Sequence, residues 1–230
     1  MNYIEELINS VFSDVGVYNA IIVTMKMSFC STFISAILGI TLGLILERFS
    51  FPGKKLIVRI NRTLMGIPPV VVGLFVYMLV MRRGPLGSLE LLFTIKGMIL
   101  AQTIIITPII CGMTYSYAVV AAPAIRVFAK TMGATRWQTT LLMLKEMKYE
   151  LYFAVISGFG RSISEVGAVM LVGGNIKGRT RTMTTTIALL KSQGIFYEGM
   201  ALGILLLVMA FVVQCLADFF RKESRGGENY

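Results

Sequence analysis

Five long apolar runs constrain this chain more than any other feature. They are Ala20–Leu46, Leu64–Met81, Gly97–Ala122, Leu151–Val172 and Gly199–Phe220. At about 1.5 Å of rise per helical residue, a run of about 20 residues crosses a hydrocarbon core of about 30 Å. Inside lipid every backbone polar group must be satisfied, which limits a spanning segment to a helix or a closed barrel. Continuous apolar runs of this length predict helices, so the chain reads as an all-α membrane protein with five spans. Composition agrees: 56% of the residues are hydrophobic and only 15% charged, against about 25% charged in soluble domains. The second run is the shortest and contains Pro68 and Pro69. A kink of that kind survives in lipid where neighbours satisfy the freed carbonyls, which places this segment inside a bundle.

The net charge of +10 would suggest nucleic acid in a soluble domain. Here the basic residues lie mostly between apolar runs, where they set orientation instead. With the N-terminus outside, the first and third loops and the C-terminal tail hold thirteen Lys and Arg, against seven in the outer loops. That bias predicts N-out, C-in. The expected organisation is an outer segment over 1–19, a membrane domain over 20–220 and an inner tail over 221–230. The first nineteen residues carry Glu5, Glu6 and Asp14 and no basic residue. A cleaved signal begins with positive charge, so the first run is expected to be an uncleaved anchor. Cys30, Cys111 and Cys215 all lie in apolar runs and read as small packing residues. The chain contains no His, which excludes histidine metal sites and histidine acid–base catalysis.

Two connections are long, 123–150 inside and 173–198 outside, and long connections are disproportionately functional. In the inner one, Arg126-Val127-Phe128-Ala129-Lys130-Thr131-Met132-Gly133 runs into Ala134-Thr135-Arg136-Trp137. A glycine after a helical run fits a helix stop followed by a new start. Two short helices at an angle would give a cytoplasmic partner a knob to grip. An amphipathic helix lying on the lipid surface fits the same pattern.

This segment resembles the cytoplasmic loop of the membrane subunits of ATP-binding-cassette (ABC) importers. That loop reads Glu-Ala-Ala, three residues, Gly, then about nine residues to Ile-x-Leu-Pro. Ala129 falls on the second Ala and Gly133 on the Gly, with Ala134, Thr135, Arg136 and Trp137 as the continuation. Val127 stands where Glu is expected, and Glu146 where Pro is expected. A second stretch is Gly158-Phe159-Gly160-Arg161-Ser162-Ile163-Ser164-Glu165-Val166-Gly167-Ala168. Gly173-Gly174-Asn175-Ile176, Thr180-Arg181 and Thr184-Thr185-Thr186 follow it. The Arg-x-Ile-x-Glu-x-Gly-Ala core resembles molybdate and sulfate permeases, and the fuller run looks most like tungstate permeases. The resemblance covers roughly 121–214. It implies a type I importer transmembrane fold working as a homodimer. It also implies a cytoplasmic ATPase dimer holding ATP and Mg, and an extracytoplasmic oxyanion-binding protein. This chain would then carry no ATPase site and no cofactor, would sit in a bacterial or archaeal cell membrane, and would grip its ATPase through Ala129 and residues 133–137.

The residues admit their own reading. Arg161 and Glu165 are four apart, which on a continuous helix puts them on one face. Charges within a span are expensive and face a bundle interior or a watery path. Such a pair either locks helix packing or offers a passing dianion transient attraction. Gly173–Thr180 nearly fits the phosphate-loop pattern, but Arg179 replaces its Lys. It also follows a membrane span rather than a strand, so nucleotide binding is not expected there. Glycines, Asn175, Thr180, Lys177, Arg179 and Arg181 instead make three readings possible: an anion path, a docking surface for the binding protein, or a solvated loop. Gly39 and Gly43 share a face of the first span and predict a close helix crossing, within the subunit or at a dimer seam. The fifteen Met read as flexible apolar filler. An ATP-independent secondary transporter is the rival class. It would be expected to carry more intramembrane ionisable groups than this one central pair.

Overall fold

The computed structural model describes residues 15–226, with side chains described from Gly16 to Cys215. Every regular element among the described residues is helical: α1 (Val15–Arg48), α2 (Lys54–Met65), α3 (Pro69–Val80), a 3-10 turn (Gly87–Leu89), α4 (Ile95–Thr131), α5 (Arg136–Glu146), α6 (Lys148–Ile163), α7 (Gly167–Gly173), α8 (Met183–Ser192) and α9 (Phe196–Gly226). Among the described residues, three helices are long and apolar enough to cross a membrane, α1, α4 and α9. The number rises to five if each of two bent pairs forms one span.

Those bent pairs are where the expected spans change. The run 64–81 is not one helix. Pro68 takes an extended conformation, and Pro69 opens α3 at its first position. A proline pushes the residue before it out of the helical region and cannot donate to the preceding turn. Two in succession therefore stop α2 at Met65 and restart the chain as a separate helix at Pro69. Helix α3 alone, 12 residues, is about 18 Å long. The run 151–172 likewise divides into α6 and α7, bent by 60° across Ser164–Val166. In contrast, α4 runs straight through the expected boundary at Ala122. It carries Pro108 and Pro123 internally and stops only at Thr131. The connection 123–150 is thus the end of α4, a short corner, α5 and the start of α6. The connection 173–198 contains α8, and α9 starts at Phe196. The 1–14 part of the expected outer segment lies outside the described residues.

The chain forms two compact units. Among the described residues, one takes in the chain up to Ser31, Pro68–Gln102 and the chain from Gly160; the other takes in Thr32–Ile67 and Thr103–Phe159. In the first, Val23, Met27, Met98 and Val169 form one buried cluster, and Val17, Ala20, Met183 and Leu202 form another. Helices α3 and α7 approach so closely that a Cβ on Gly73 would lie 2.6 Å from Ala168 Cα. The Thr24 hydroxyl ties this unit together, donating to the Ala20 carbonyl and accepting the Met183 N–H at 3.0 Å.

In the second unit Gly39 and Gly43 meet α4. A Cβ on Gly39 would fall 2.8 Å from Ile110 Cβ, and one on Gly43 2.8 Å from Thr114 Cβ. The pair therefore makes a crossing within the subunit. Without a hydrophobic drive between helices in lipid, such backbone approach is a main source of packing energy. Ile106, Ile110 and Ala154 bury the next layer, and Ala118, Ala122, Met143, Met147 and Leu151 the layer that seats α5. Phe29, Phe33 and Ile37 on α1, and Met200, Ile204, Leu207 and Phe211 on α9, are exposed, as faces turned to lipid require.

Candidate functional site

The break between α6 and α7 brings the intramembrane charges together. The Arg161 guanidinium Nη2 lies 3.5 Å from Glu165 Oε2, with the Glu165 side chain 3% exposed and that of Arg161 37% exposed. The expected pairing stands, but not its basis. Helix α6 ends at Ile163, so Glu165 lies in the break rather than one turn along the same helix. Its second oxygen, Oε1, accepts the Ala168 N–H at 3.2 Å. The carboxylate therefore serves an otherwise orphaned donor of α7 as well as Arg161.

A break in a membrane helix frees carbonyls, and here side chains meet several of them. The Ser164 hydroxyl lies within hydrogen-bonding reach of the Gly160 and Arg161 carbonyls. The Ser162 carbonyl accepts from the Glu165 N–H and from Gln102 Nε2. Thr184 donates its hydroxyl to the Glu165 carbonyl at 2.8 Å. Ser31 Oγ and Ser162 Oγ lie 3.1 Å apart. Gln102, Ser31, Ser162 and Thr184 are all buried. The break is thus a specified structure with its own partners, and it leaves Gly160, Arg161 and Ser164 on an accessible face.

The outer connection is equally specified. Gly174, Asn175 and Gly178 adopt positive φ values of 70°, 51° and 76°, conformations that favour Gly and tolerate Asn. The buried Thr180 hydroxyl donates to the Gly173 carbonyl and accepts the Ile176 N–H. Arg181 Nε donates to Asn175 Oδ1 at 3.2 Å and its Nη2 to the Asn175 carbonyl at 3.4 Å. Thr180, Asn175 and Arg181 therefore hold the turn and are not free donors. Lys177 and Arg179 are exposed cations on this turn, and Lys191 is exposed further along the connection. Thr182 then caps α8, with its side chain and that of Thr185 exchanging bonds with each other's backbone N–H.

The inner corner joins α4 to α5 through four residues. Gly133 stands at φ +70°. Its N–H reaches the Lys130 carbonyl at 3.1 Å, and the Ala134 N–H reaches the Ala129 carbonyl at 2.9 Å. These are the paired bonds of a Schellman stop, with glycine at the left-handed position. Thr135 at once opens α5 with a capping box: Gln138 Oε1 accepts the Thr135 N–H at 2.8 Å, and the Thr135 hydroxyl accepts the Gln138 N–H. Ala129 is buried, whereas Trp137, Met132 and Phe128 are exposed. The expected helix stop and restart is present, and it directs an aromatic and two cations, Lys130 and Arg136, outward.

Residues 39–226 match the family described as the binding-protein-dependent transport system inner membrane component. The chain belongs to that family. This permease is 40% identical to the tungstate uptake system permease protein TupB of Peptoclostridium acidaminophilum, over 91% of this chain and 92% of the relative. It is 37% identical to a probable anion ABC transporter permease protein of Haloferax volcanii, over 89% and 90%. Its fold resembles that in the crystal structure of a bacterial ABC transporter involved in the import of the acidic polysaccharide alginate. That likeness has a TM-score of 0.76 and 20% sequence identity, over 95% of this chain and 83% of the other. The permease is therefore the multi-pass membrane subunit of an ABC importer with that transmembrane fold.

Of the residues expected to matter, the permease brings Arg161 to Glu165 and Asn175 to Arg181. It keeps Thr180 as a tie within the turn and assembles Ala129, Gly133, Ala134 and Thr135 into one corner. Sequence reasoning missed Gln102 and Thr184, which support the break. Gln102 is a lone amide in an apolar run, and the Thr182-x-x-Thr185 capping pattern marks a helix start in the outer connection.

Proposed function

We propose that this permease moves tungstate into a bacterial or archaeal cell. Molybdate and sulfate, the other oxyanions of the resembling permeases, rank after it. The observation that carries the reading is the 40% identity to a tungstate uptake permease over nine-tenths of both chains. The Arg161–Glu165 break supports the reading by its own geometry. The Arg161 side chain is held at 3.5 Å by a carboxylate and stays partly accessible. A cation so balanced attracts a passing dianion without trapping it, which a carrier needs for release. Lys177 and Arg179 add positive potential toward the outer end. High-affinity selection belongs to an extracytoplasmic binding protein.

In this reading two copies of the chain form the path, with the N-terminus outside and the C-terminus inside. The α4–α5 corner docks on a cytoplasmic ATPase dimer that binds ATP and Mg. Trp137 and Arg136 project from α5 as contact residues, and the doubly capped corner transmits ATPase movement to α4. The test is tungstate uptake in cells making the permease with its binding protein and ATPase, with molybdate and sulfate as competitors. Uptake that resists excess competitor, and falls in Arg161→Ala while the complex still assembles, supports the reading. Sulfate or molybdate displacing tungstate at equal concentration refutes the substrate, and full uptake by the assembled Arg161→Ala variant refutes the path.

A further inference from the structure

Within the second unit the ends of α1, α4 and α5 enclose a cavity of about 840 Å³. That lies in the range of about 300–1,000 Å³ typical of small-ligand sites. Its lining changes character along α1. Arg48 and Glu47 lie at the helix end, and Leu44 and Ile40 lie one to two turns back. Four cations stand at the charged end, namely Arg48, Arg126, Lys130 and Arg136, against the single carboxylate of Glu47. Met143 and Leu144 of α5 face the apolar end.

The cations are unequally engaged. Arg126 pairs with Glu47, whose side chain is 7% exposed. Arg48 donates to the Thr140 hydroxyl at 2.9 Å. The Lys130 and Arg136 side chains are exposed and, among the described residues, make no hydrogen bond or ion pair. Ile45, which also lines the cavity, is 44% exposed on α1 beside the apolar side chains that meet lipid. The cavity therefore has an oily floor continuous with a lipid-facing surface and a cationic mouth in which Lys130 is uncommitted.

We infer that this cavity binds an anionic phospholipid, its phosphate at Lys130 beside Arg48 and the start of an acyl chain over Ile40, Leu44 and Met143. Basic pockets between membrane helices take anionic headgroups by charge, and the apolar floor adds burial of methylene groups. A soluble oxyanion would use the mouth and leave the floor wet. The match of an amphiphilic cavity to an amphiphilic ligand is what selects lipid. The inference does not depend on which oxyanion is carried. Because the site borders Gly133 and Trp137, an occupying lipid would brace the corner that meets the ATPase.

The test is native mass spectrometry of the complete transporter in detergent, titrated with dioleoylphosphatidylglycerol and, separately, with dioleoylphosphatidylcholine. Phosphatidylglycerol should be retained at about one per permease and phosphatidylcholine released. Lys130→Gln removes one exposed cation near a membrane surface and should weaken retention about fivefold. Leu44→Trp fills the floor and should abolish retention without changing the mouth. If that variant fails to assemble, Lys130→Gln decides alone, because its side chain is exposed. Equal retention of the two lipids would overturn the proposal, as would unchanged retention in Lys130→Gln. So would displacement of phosphatidylglycerol by millimolar inorganic phosphate, which would make this a soluble-anion site. Retention by the permease but not by the assembly with its ATPase would also overturn it, since the cavity would then be part of the protein interface. No arm measures transport, so failure here leaves the transport reading standing.

Discussion

Replacing Gly133 separates backbone conformation from surface contact at the inner corner. Its φ is +70°, and a Cβ built there meets nothing within 4 Å. Any loss on substitution is therefore conformational and not a clash. Placing an ordinary residue in the left-handed region costs about 1–2 kcal/mol. Asn tolerates that region better, and a β-branched residue is an outlier there. A loss of that size shifts the balance between capped and frayed corner by roughly 5- to 30-fold. The expected order of damage is Asn, then Ala, then Val. The assay is hydrogen exchange in the assembled transporter, corrected for intrinsic rates. It is read at the amide of residue 133 and at Ala134, which donate to the Lys130 and Ala129 carbonyls. Exchange at both should quicken in that order, and substrate moved per ATP hydrolysed should fall with it. Equal exchange in Asn, Ala and Val variants would refute the conformational argument, and wild-type exchange in all three would show that the stop does not depend on glycine.

Three further outcomes follow from the packing. Glu165→Ala leaves the Ala168 N–H without its acceptor and should destabilise the purified transporter by about 1–3 kcal/mol. Glu165→Gln keeps an oxygen there and should lose less by thermal unfolding. Gly43→Val puts carbon against Thr114 and the Cys111 carbonyl. It should cost at least about 1–3 kcal/mol and lower assembled yield, while Gly203→Val, where a Cβ meets nothing, should not. Thr180→Val removes a buried donor and acceptor and should loosen the 173–181 turn to protease, whereas Thr180→Ser should restore it.

The parts of the fold that were legible in sequence are those written in composition or in a single conformational demand. Apolar runs located α1, α4 and α9, and Gly133 announced its helix stop because few other residues occupy positive φ. The twin glycines on α1 announced a close crossing, and the structure assigned it to α4. Breaks were harder. Ser164–Val166 lies in a stretch whose hydropathy scarcely falls, and its partners Gln102 and Thr184 are 60 or so and about 20 residues away. No local pattern records such long-range satisfaction. The boundary expected at Ala122 failed in the opposite sense, since the helix carries Pro123 internally and runs on to Thr131. At the site, the i, i+4 spacing of Arg161 and Glu165 pointed to the correct pair through a helix that ends between them. The Gly- and Thr-rich connection looked like a set of free donors, yet its hydroxyls are engaged in holding its own turns.

In the proposed function this permease moves an oxyanion only when a partner hydrolyses ATP. The direct measurement uses sealed vesicles carrying the permease and its ATPase, with ATP enclosed and tungstate-loaded binding protein outside. The account predicts tungstate accumulation that requires enclosed ATP and stops when a non-hydrolysable analogue replaces it. Accumulation that proceeds equally with no ATP inside would contradict the account and make the chain a secondary transporter.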